Sequence, residues 1–567
     1  MARPEKIRLG DLLVQQKLLS QEQLMSALGE QKSSGHKLGR LLVEKKLVTE
    51  DQISEALAKQ LHIPFINLKF YNINIEIIRR LTESQARRFR ALVLEDRNGR
   101  LLVGMADPTD LLAFDELSRI LKCDFELTVV TERQLLETID RVYRRTEEMS
   151  GLARELSADL GDAYVDFGTI AETAGIEEAP VVKLLQTMFN DATQVRASDV
   201  HIEPQEVRLH IRFRIDGMLH LQAEADSKIT PALVLRLKLM SGLDISEKRL
   251  PQDGRFNIKV RSQVVGVRIS TMPTQYGESV VMRLLVQGDS FHSLDKLGMP
   301  PDMLKRFREI IRRCSGMVLV TGPTGSGKTT TLYAGLAEIN TIDQKIITVE
   351  DPVEYRLPGI NQVQVNEKIE LTFSRVLRAA LRQDPDVILV GEMRDAETAQ
   401  IGLRASMTGH LVLSTLHTRD AAGTLFRLVD MGTPKYMVAS SVQVVLAQRL
   451  LRRVCDSCTE PHDPIPQEIE WLEHEGVNPG QAGALRHGRG CSHCNGTGYR
   501  GRLGVYEMLE MTQPLAEAAA HHDANHFMQA ARNSMKGKTL IDHALEQMKL
   551  GNTTVAEIMR ISNQVED

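Results

Sequence analysis

The chain has 567 residues, too many for one hydrophobic core, and this length predicts about three or four domains. Hydrophobic residues make up 42% and charged residues 26%, as in a soluble globular protein. The formal net charge of -5 disfavours nucleic acid as a partner, and no apolar run reaches the roughly 18 to 20 residues that cross a bilayer. The first residues lack the apolar core of a signal peptide, so we expect a cytoplasmic protein without a transmembrane segment.

The first 60 residues contain a tandem repeat. Residues 8–31 align without gaps on residues 37–60, and eleven of the 24 positions are identical. Each copy is predicted to form a short helix, a turn and a second helix that begins with a capping box. The two boxes are Ser20 with Gln23 and Thr49 with Gln52. We therefore expect a helical repeat subdomain over residues 1–60.

Two further units and a linker are predicted before residue 289. Residues 61–145 mix helical stretches with short apolar ones, which predicts a small α/β subdomain. Residues 146–178 carry nine acidic residues and one basic residue, so we expect a mobile, partly helical linker. In residues 179–288 the alternation of apolar and polar residues predicts several strands and an α+β domain.

Residues 289–567 alternate strands with helices, which predicts a nucleotide-binding domain with a parallel sheet. A buried strand at 316–321 and a helix from residue 330 flank a glycine-rich loop. In such a loop the backbone N–H groups face phosphate oxygens, the lysine reaches the β- and γ-phosphates, and the threonine after it binds Mg²⁺. The predicted nucleotide contacts are Gly322, Pro323, Thr324, Gly325, Ser326, Gly327, Lys328, Thr329 and Thr330, with Thr329 on Mg²⁺.

Three apolar strands that follow this loop are each bounded by residues able to do acid–base chemistry. The carboxylates are Glu350, Asp351, Glu354 and Glu392, and the histidines are His410 and His417. Carboxylates at the carboxyl edge of a parallel sheet lie beside bound phosphates, where one can activate water and another can help to hold Mg²⁺. Each residue alone is more often structural, but their order after a phosphate loop predicts a triphosphatase site.

Four of the six cysteines form two Cys-x-x-Cys pairs with 32 residues between them. The pairs are Cys455 with Cys458 and Cys491 with Cys494. Four thiolates at about 2.3 Å complete a tetrahedral structural zinc site, so the pattern predicts a zinc-binding insertion at 455–494, followed by a helical carboxy-terminal region. Two unrelated reduced pairs are the alternative. Cys123 and Cys314 are predicted to be ordinary core or surface thiols.

The phosphate loop, the acidic strings and the histidine segment resemble the secretion ATPase superfamily, in particular the assembly ATPases of type II secretion and type IV pili. The resemblance runs from residue 179 to the end and includes the strings at 197–204, 212–217 and 247–255. Tetracysteine insertions are found in the assembly branch of this family, and the resemblance implies a RecA-like P-loop ATPase domain for residues 289–567. The resemblance implies that Lys328 holds the phosphates, Glu354 is the general base, Glu392 helps to place Mg²⁺ and water, and His417 senses the γ-phosphate.

The same resemblance implies that arginines of the middle domain complete the site. Arg268 and Arg283 are the candidates, and Arg255 is a weaker one. A dissociative phosphoryl-transfer transition state gains from positive charge brought to it from outside the loop. The alternative for each arginine is a solvated position at a strand edge.

The amino-terminal repeat resembles the cyclic di-GMP-binding domain of MSHA-type pilus ATPases, which has two 24-residue motifs separated by five residues. A flat, anionic dinucleotide needs cations for its phosphates, faces for its guanines and close backbone approach at glycine. The resemblance implies contacts from Arg8, Leu9, Gly10, Gln31, Lys37, Leu38, Gly39, Gln60 and Asp107. The second motif begins with lysine instead of arginine, and an ammonium cannot stack on a base. Docking of a partner protein is the alternative.

These features predict a homo-hexameric, Mg²⁺-dependent ATPase that assembles an MSHA-type pilus under the control of cyclic di-GMP. It would act at the cytoplasmic face of the inner membrane on a platform protein, with two domains closing and opening about residues 287–292. The nearest alternative is a type II secretion ATPase with a protein-docking amino terminus. A nucleic-acid translocase is a rival from another class, against which the acidic balance and the missing aromatic and basic tracts argue.

Overall fold

The fold is taken from a computed structural model. It describes residues 9–15, 18–34, 41–43, 45, 47–71, 73, 75–78, 80–97, 99–143, 149, 152–153, 180–260, 263–286, 293–478, 485–520 and 524–566. Most of the predicted linker at 146–178 and the connection at 287–292 therefore lie outside the described residues. The same holds for four of the predicted dinucleotide contacts, Arg8, Lys37, Leu38 and Gly39.

Helices dominate the described part of residues 1–60. They span Leu9–Gln15, Gln21–Ser34 and Glu50–Leu61. Both predicted capping boxes are confirmed: the Ser20 and Thr49 N–H groups donate to glutamine Oε1 at 2.9 Å, and each glutamine N–H donates back to the hydroxyl at 3.2 Å. The buried core consists of four pairs of aligned positions, Leu13 with Leu42, Leu19 with Val48, Leu24 with Ile53, and Ala27 with Ala56. Because much of 35–46 lies outside the described residues, the structural repeat stays a prediction.

A small sheet with four helices follows. Strands β1 (Ala91–Arg97), β2 (Arg100–Met105) and β3 (Phe125–Val129) are ordered β1-β2-β3, with the first pair antiparallel and the second parallel. The helices span Ile75–Ile78, Glu83–Phe89, Leu111–Leu121 and Glu132–Val142. Two apolar clusters pack on the sheet. The mixture of strands and helices predicted for this part is confirmed.

The middle of the chain is a six-stranded sheet with helices on one face. Its strands are β4 (Asp199–Pro204), β5 (Arg208–Ile215), β6 (Met218–Asp226), β7 (Gln252–Val260), β8 (Gln263–Thr274) and β9 (Gly277–Val286). The order is β6-β5-β4-β9-β8-β7, and every neighbouring pair is antiparallel. The helices span Pro180–Gln194 and Thr230–Ser241. The α+β character predicted here is confirmed.

The register of this sheet aligns charged residues in a row across five strands. Arg255 pairs with Arg268, Arg268 with Arg283, Arg283 with Asp199, and Asp199 with Arg214. Val267 and Ile269 flank Arg268 on β8 and are buried in the core. Because successive side chains in a strand point to opposite faces, the row lies on the face away from the core. We call these five residues the arginine row.

A seven-stranded sheet forms the carboxy-terminal part. Its strands are β10 (Gly316–Thr321), β11 (Ile346–Glu350), β12 (Asn361–Gln364), β13 (Val387–Val390), β14 (Leu411–Leu416), β15 (Val442–Val454) and β18 (Tyr499–Glu510). The order is β12-β11-β13-β14-β10-β15-β18, parallel except for β18. Every residue of β10, β13 and β14 is buried, as expected for parallel strands covered on both faces. The predicted strands around the phosphate loop are confirmed.

Helices cover this sheet and form the end of the chain. Those on the sheet span Pro301–Ile311, Lys328–Ile339, Phe373–Ala380, Ala396–Met407, Ala421–Asp430 and Lys435–Ser441. The excursion between the cysteine pairs contains β16 (Thr459–Pro461), the helix Pro466–His474 and β17 (Arg486–Gly488). The final helices span Gln513–Ala520, Ala524–Ser534, Leu540–Lys549 and Val555–Glu566. Short 3-10 helices lie at Ser227–Ile229, Leu294–Lys296 and Glu367–Ile369. Among the described residues, no helix is both long and apolar enough to span a bilayer.

Candidate nucleotide and metal sites

The phosphate loop connects the end of β10 to the helix Lys328–Ile339, which begins two residues earlier than predicted. Gly322 and Gly327 have φ angles of 146° and 89°, in the region that favours glycine. At Gly322 a Cβ atom would lie 2.5 Å from the carbonyl oxygen of Gln448, so a side chain does not fit there. The crest of the loop is exposed, and Thr329 is exposed in the first helical turn.

Lys328 is buried beneath this loop. Its Nζ donates hydrogen bonds to the carbonyl oxygens of Gly322 at 2.8 Å and Pro323 at 3.1 Å. Burial lowers the pKa of Lys328 to about 8, with a smaller contribution from the charge of Arg449 and an opposing one from Glu392. An ammonium held by two carbonyls at the base of the loop is placed to exchange them for phosphate oxygens.

Glu392 and His417 lie next to Lys328 at the carboxyl edge of the sheet. Glu392 follows β13, His417 follows β14, and His417 Nε2 is 3.6 Å from Glu392 Oε2. Glu392 also pairs with Arg394. Burial lowers the pKa of His417, and the charge of Lys328 lowers it further, against an opposing effect of Glu392. The structure therefore brings three of the predicted catalytic residues into one place.

The other carboxylates and His410 are arranged differently. Glu350 is buried, where it accepts hydrogen bonds from Tyr333 Oη, from Thr348 Oγ1 at 2.5 Å and from Gln362 Nε2 at 3.2 Å, so it stabilises the fold. Glu354 is half-buried in the segment after β11. Within the described residues no hydrogen bond or ion pair joins the Glu354 carboxylate to Lys328, Glu392 or His417. His410 lies before β14, at the opposite sheet edge, with Nδ1 3.1 Å from the Ala405 carbonyl oxygen.

Two residues beneath the loop carry no motif and were missed in the sequence. Gln448 on β15 donates to the Ser326 carbonyl at 2.7 Å and accepts from Thr331 Oγ1 at 2.8 Å, so one amide supports both the loop and its helix. Its neighbour Arg449 is buried, and Nη1 donates to the Gln448 carbonyl at 3.1 Å. Burial lowers the pKa of Arg449. The sequence signal that could have identified Gln448 and Arg449 is that they are two polar residues within the apolar sequence of β15.

The arginine row faces the nucleotide-binding sheet at one end. Arg255 Nη1 donates to Gln364 Oε1 at 3.4 Å, and Gln364 lies beside Glu350 in the register of β12 and β11. Arg283 Nε donates to Asp199 Oδ1 at 3.0 Å. In the described part of the chain no hydrogen bond or ion pair joins Arg268 or Arg283 to the phosphate loop. The arginine that reaches the other sheet is thus the weaker sequence candidate, and the roles of all three stay predictions.

The four paired cysteines form one buried cluster. Their Sγ atoms lie within 4.8 Å of one another, and Cys455–Cys491, Cys458–Cys494 and Cys491–Cys494 are each separated by 3.8 Å. A tetrahedron with metal–sulfur bonds of about 2.3 Å has edges of about 3.8 Å, so the spacing fits a four-thiolate zinc site. The N–H groups of Cys491 and Gly498 each donate to Cys494 Sγ at 3.2 Å, which favours a thiolate. Cys123 is half-buried and Cys314 exposed.

The described dinucleotide candidates include two with structural roles. A Cβ atom at Gly10 would lie 2.6 Å from Leu24 Cδ1, so this glycine lets two helices pack closely. Asp107 Oδ1 accepts from the Thr109 N–H at 3.1 Å and from its hydroxyl at 2.5 Å, which closes a turn. Leu9 and Gln31 lie in helices, and Gln60 is half-buried near the end of Glu50–Leu61.

A glycine-rich loop between a buried parallel strand and a helix, with its lysine beside an acidic residue from a neighbouring strand, is the nucleotide site of a P-loop ATPase. Residues 175–560 match the protein family described as Type II/IV secretion system protein, and the chain belongs to this family of ATPases. Residues 61–149 match the MshEN domain. The second match covers the small α/β part and not the tandem repeat before it.

Named relatives match over most of their length. The chain is 40% identical over 562 residues to the type IV pilus assembly ATPase PilB of Myxococcus xanthus, covering 97% of this chain and 98% of the relative. It is 42% identical over 500 residues to the type II secretion system ATPase E of Vibrio cholerae, covering 86% and 97%. The solved structure of the Legionella pneumophila ATPase DotB covers 67% of this chain and 96% of its own, with a TM-score of 0.50 and 21% identity. That likeness concerns the fold.

Proposed function

We propose that the chain is a Mg²⁺-dependent ATPase that powers assembly of a type IV pilus of the MSHA kind and is activated by cyclic di-GMP. The observation that carries the proposal is the cluster of Lys328, Glu392 and His417 at the phosphate loop. Nearly the whole length of the chain is related to a pilus assembly ATPase.

In this proposal Lys328 leaves the Gly322 and Pro323 carbonyls and binds the β- and γ-phosphates. Thr329 and Glu392 would hold Mg²⁺, which would neutralise phosphate charge. Glu354 takes the proton of the attacking water, and His417, 3.6 Å from Glu392, responds to loss of the γ-phosphate. Glu354 has to move toward the other three residues for this step, and domain closure around the nucleotide supplies such a movement.

The arginine row supplies charge to the same reaction. Arg255, Arg268 and Arg283 are neighbours across β7, β8 and β9. Like charges placed directly opposite each other repel, and a bound polyphosphate relieves this repulsion. We assign these three arginines of the row, with Arg255 as the weaker candidate, to the γ-phosphate in a homo-hexamer.

Zinc is the metal we propose for the tetracysteine cluster. The buried thiols, the 3.8 Å separations and the two N–H groups directed at Cys494 Sγ support it. Bound there, zinc would fix two turns that are 32 residues apart in the sequence. Its role would be structural, because four protein ligands leave no open position.

Cyclic di-GMP is the ligand we propose for the amino-terminal region. Support comes from the duplicated 24-residue motif, from the four aligned pairs in its core and from the MshEN match that follows it. Two similar halves of a protein suit a ligand with two similar halves. We expect full-length protein to bind cyclic di-GMP in preference to GTP or cyclic di-AMP.

The proposed setting is the cytoplasmic face of the inner membrane, where the motor would act on a platform protein. A type II secretion ATPase is the second candidate, because relatives of that kind match 86% of this chain. A nucleic-acid translocase has weaker support, since the sequence lacks a basic footprint.

A gene replacement separates these candidates. The chromosomal gene is exchanged for one that encodes Lys328→Ala, and surface pili and secreted proteins are measured in the same cultures. Loss of pili with normal secretion supports the proposal. Loss of secretion with normal piliation supports the second candidate, and unchanged levels of both contradict the whole assignment.

A further inference from the structure

The two cysteine loops, residues 455–458 and 491–494, contact the amino-terminal unit, the described part of residues 1–145, through matching positions. Ser457 precedes Cys458 and His493 precedes Cys494, so each is the last residue before the second cysteine of its pair. Ser457 Oγ donates to the carbonyl oxygen of Lys69, and His493 Nε2 lies 3.0 Å from the carbonyl oxygen of Leu68. Two adjacent backbone carbonyls are therefore bound by the two halves of the cluster.

The His493 ring is fixed from both sides. Arg500 Nη1 is 3.1 Å from His493 Nδ1, and because a guanidinium can only donate, Nδ1 accepts and Nε2 carries the proton that Leu68 receives. The His493 ring is buried and cannot turn to follow its acceptor. A shift of the Leu68 carbonyl by about an ångström therefore breaks the hydrogen bond.

On the amino-terminal side, the contact continues to the tandem repeat. The N–H of Leu68 donates to Gln134 Oε1 at 2.9 Å, and Gln134 Nε2 donates to Asp51 Oδ1 at 3.2 Å. Asp51 lies in the first turn of the helix Glu50–Leu61, in the second copy of the repeat. The backbone of Leu68 is thus bound through its N–H by Gln134, which in turn contacts the repeat, and through its carbonyl by the cysteine loops.

On the ATPase side, a series of neighbouring elements connects the cysteine loops to the phosphate loop. Arg500 lies near the start of β18, which pairs with β15, and β15 carries Gln448 beneath the phosphate loop. The next residue, Gly501, donates its N–H to Asp216 Oδ2 of the middle sheet at 2.8 Å. Asp216 follows β5, whose Arg214 belongs to the arginine row.

From this geometry we infer that the cysteine loops are the docking surface by which the amino-terminal unit of the same chain controls the ATPase. The inference rests on the proposed function for its regulatory part. A ligand that shifts the helix Glu50–Leu61 acts on Leu68 through Gln134, and Leu68 acts on His493. We call the two hydrogen bonds from Ser457 and His493 the docking contact.

The test compares full-length variants that change different residues of the same two loops. The double variant Ser457→Ala/His493→Leu removes both donors, and Asp456→Ala/Ser492→Ala changes neighbouring loop positions as the control. Zinc content, cyclic di-GMP affinity, backbone hydrogen exchange of residues 66–71 and the ratio of cyclic di-GMP-stimulated to basal ATPase rate are measured for each. His493→Gln, whose amide can donate, serves as the conservative variant.

We expect the donor-less variant to keep its zinc and its cyclic di-GMP affinity. Its 66–71 amides should exchange roughly tenfold faster, since two hydrogen bonds are lost, and its stimulation ratio should fall to about one. The control and His493→Gln should resemble the unmodified protein. Unchanged exchange at 66–71, or full stimulation in the donor-less variant, would overturn the inference.

Two outcomes call for a further measurement: loss of zinc in the donor-less variant, and no stimulation of the unmodified protein by cyclic di-GMP. If the donor-less variant loses zinc, Gln134→Leu is used instead, because it breaks the same path far from the cysteines, and the same fall in stimulation is expected. If the unmodified protein is not stimulated by cyclic di-GMP, the regulatory proposal fails. The exchange comparison then still decides whether the docking contact holds the two units together.

Discussion

At the residue scale, Lys328 has two states that differ in charge. Its pKa is lowered to about 8 by burial, whereas bound phosphates favour the protonated form and raise the pKa again. Above about pH 8 the free protein therefore holds mostly neutral lysine, and ATP binding must take up a proton. We expect ATP affinity to fall as the pH rises through 8. Calorimetry at pH 8.5 in two buffers of different ionisation enthalpy should show proton uptake that is absent at pH 6.5.

Lys328 and Glu354 should differ in what their loss removes. Lys328→Ala takes away ground-state phosphate contacts, so tight ATP binding is lost. Glu354→Gln leaves these contacts and affects only the activation of water, so binding is kept and turnover falls by at least about a hundredfold. Binding and single-turnover hydrolysis measured on both variants check this. Near-normal turnover in Glu354→Gln would move the base to Glu392.

The sequence alone was enough to predict site residues that lie in a local motif or directly after an apolar strand. Lys328 stands in a glycine-rich string, and Glu392 and His417 follow strands that end at one sheet edge. Gln448 and Arg449 could not be found in this way, because they reach the loop from a strand about 120 residues later and carry no motif. Gly10 is predicted to contact the dinucleotide, and this stays a prediction; the structure adds a packing role that the sequence did not indicate, because the missing side chain makes room for Leu24.

At the element scale, β15 supports the phosphate loop through one side chain. Replacing Gln448 with Leu removes the amide that binds the Ser326 carbonyl and the Thr331 hydroxyl, which should lower the free energy of unfolding by about 1–3 kcal/mol. The loop should also bind ATP more weakly. Denaturant unfolding and an ATP titration are the measurements.

Gln443 is the matched control for this prediction, since it lies on the same strand and binds the Arg313 guanidinium away from the loop. Gln443→Leu should lower stability without changing ATP affinity. Equal effects of both substitutions on ATP affinity would show that the strand, not the Gln448 amide, governs the loop.

The cysteine loops are a second element with a separable role. Cys455→Ser should release about one zinc per chain and lower the unfolding temperature, because four ligands hold two distant turns together. Cys314→Ser is the control, since this thiol is exposed and lies outside the cluster. Metal analysis and thermal unfolding check both. An unmodified protein that contains no zinc when purified in reducing, chelator-free buffer would contradict the assignment.

Helices and strands were predicted best from the sequence where the pattern of apolar residues, or a capping box, was clear. The apolar runs of β10, β13 and β14 fit buried parallel strands, and both capping boxes marked helix starts correctly. The order of the strands in a sheet was not predictable, because it depends on contacts between residues far apart in the chain. The arginine row shows this, since the pairing of Arg268 with Arg283 follows from strand register.

At the scale of the whole molecule, the described residues include several polar contacts that join the units. Arg255 reaches Gln364, Gly501 reaches Asp216, and the docking contact joins the amino-terminal unit to the cysteine loops. Arg255 and Asp216 lie in strings that resemble the secretion ATPase superfamily, but the sequence does not indicate which residues they contact. Single hydrogen bonds between units contribute little stability each, so the units can change their arrangement when nucleotide binds.

Assembly into a ring should therefore govern the rate. The arginine row needs a closed arrangement to reach a nucleotide, and packing against neighbouring subunits would favour that arrangement. We expect the ATPase rate per chain to rise with protein concentration and to level off once the light-scattering mass reaches that of a hexamer. Arg268→Ala should assemble at the same concentrations but stay slow, whereas Arg249→Ala, an exposed arginine paired with Glu247 outside the row, should behave as the unmodified protein. A rate per chain that stays constant while the mass rises from one subunit to six would show that assembly does not complete the site.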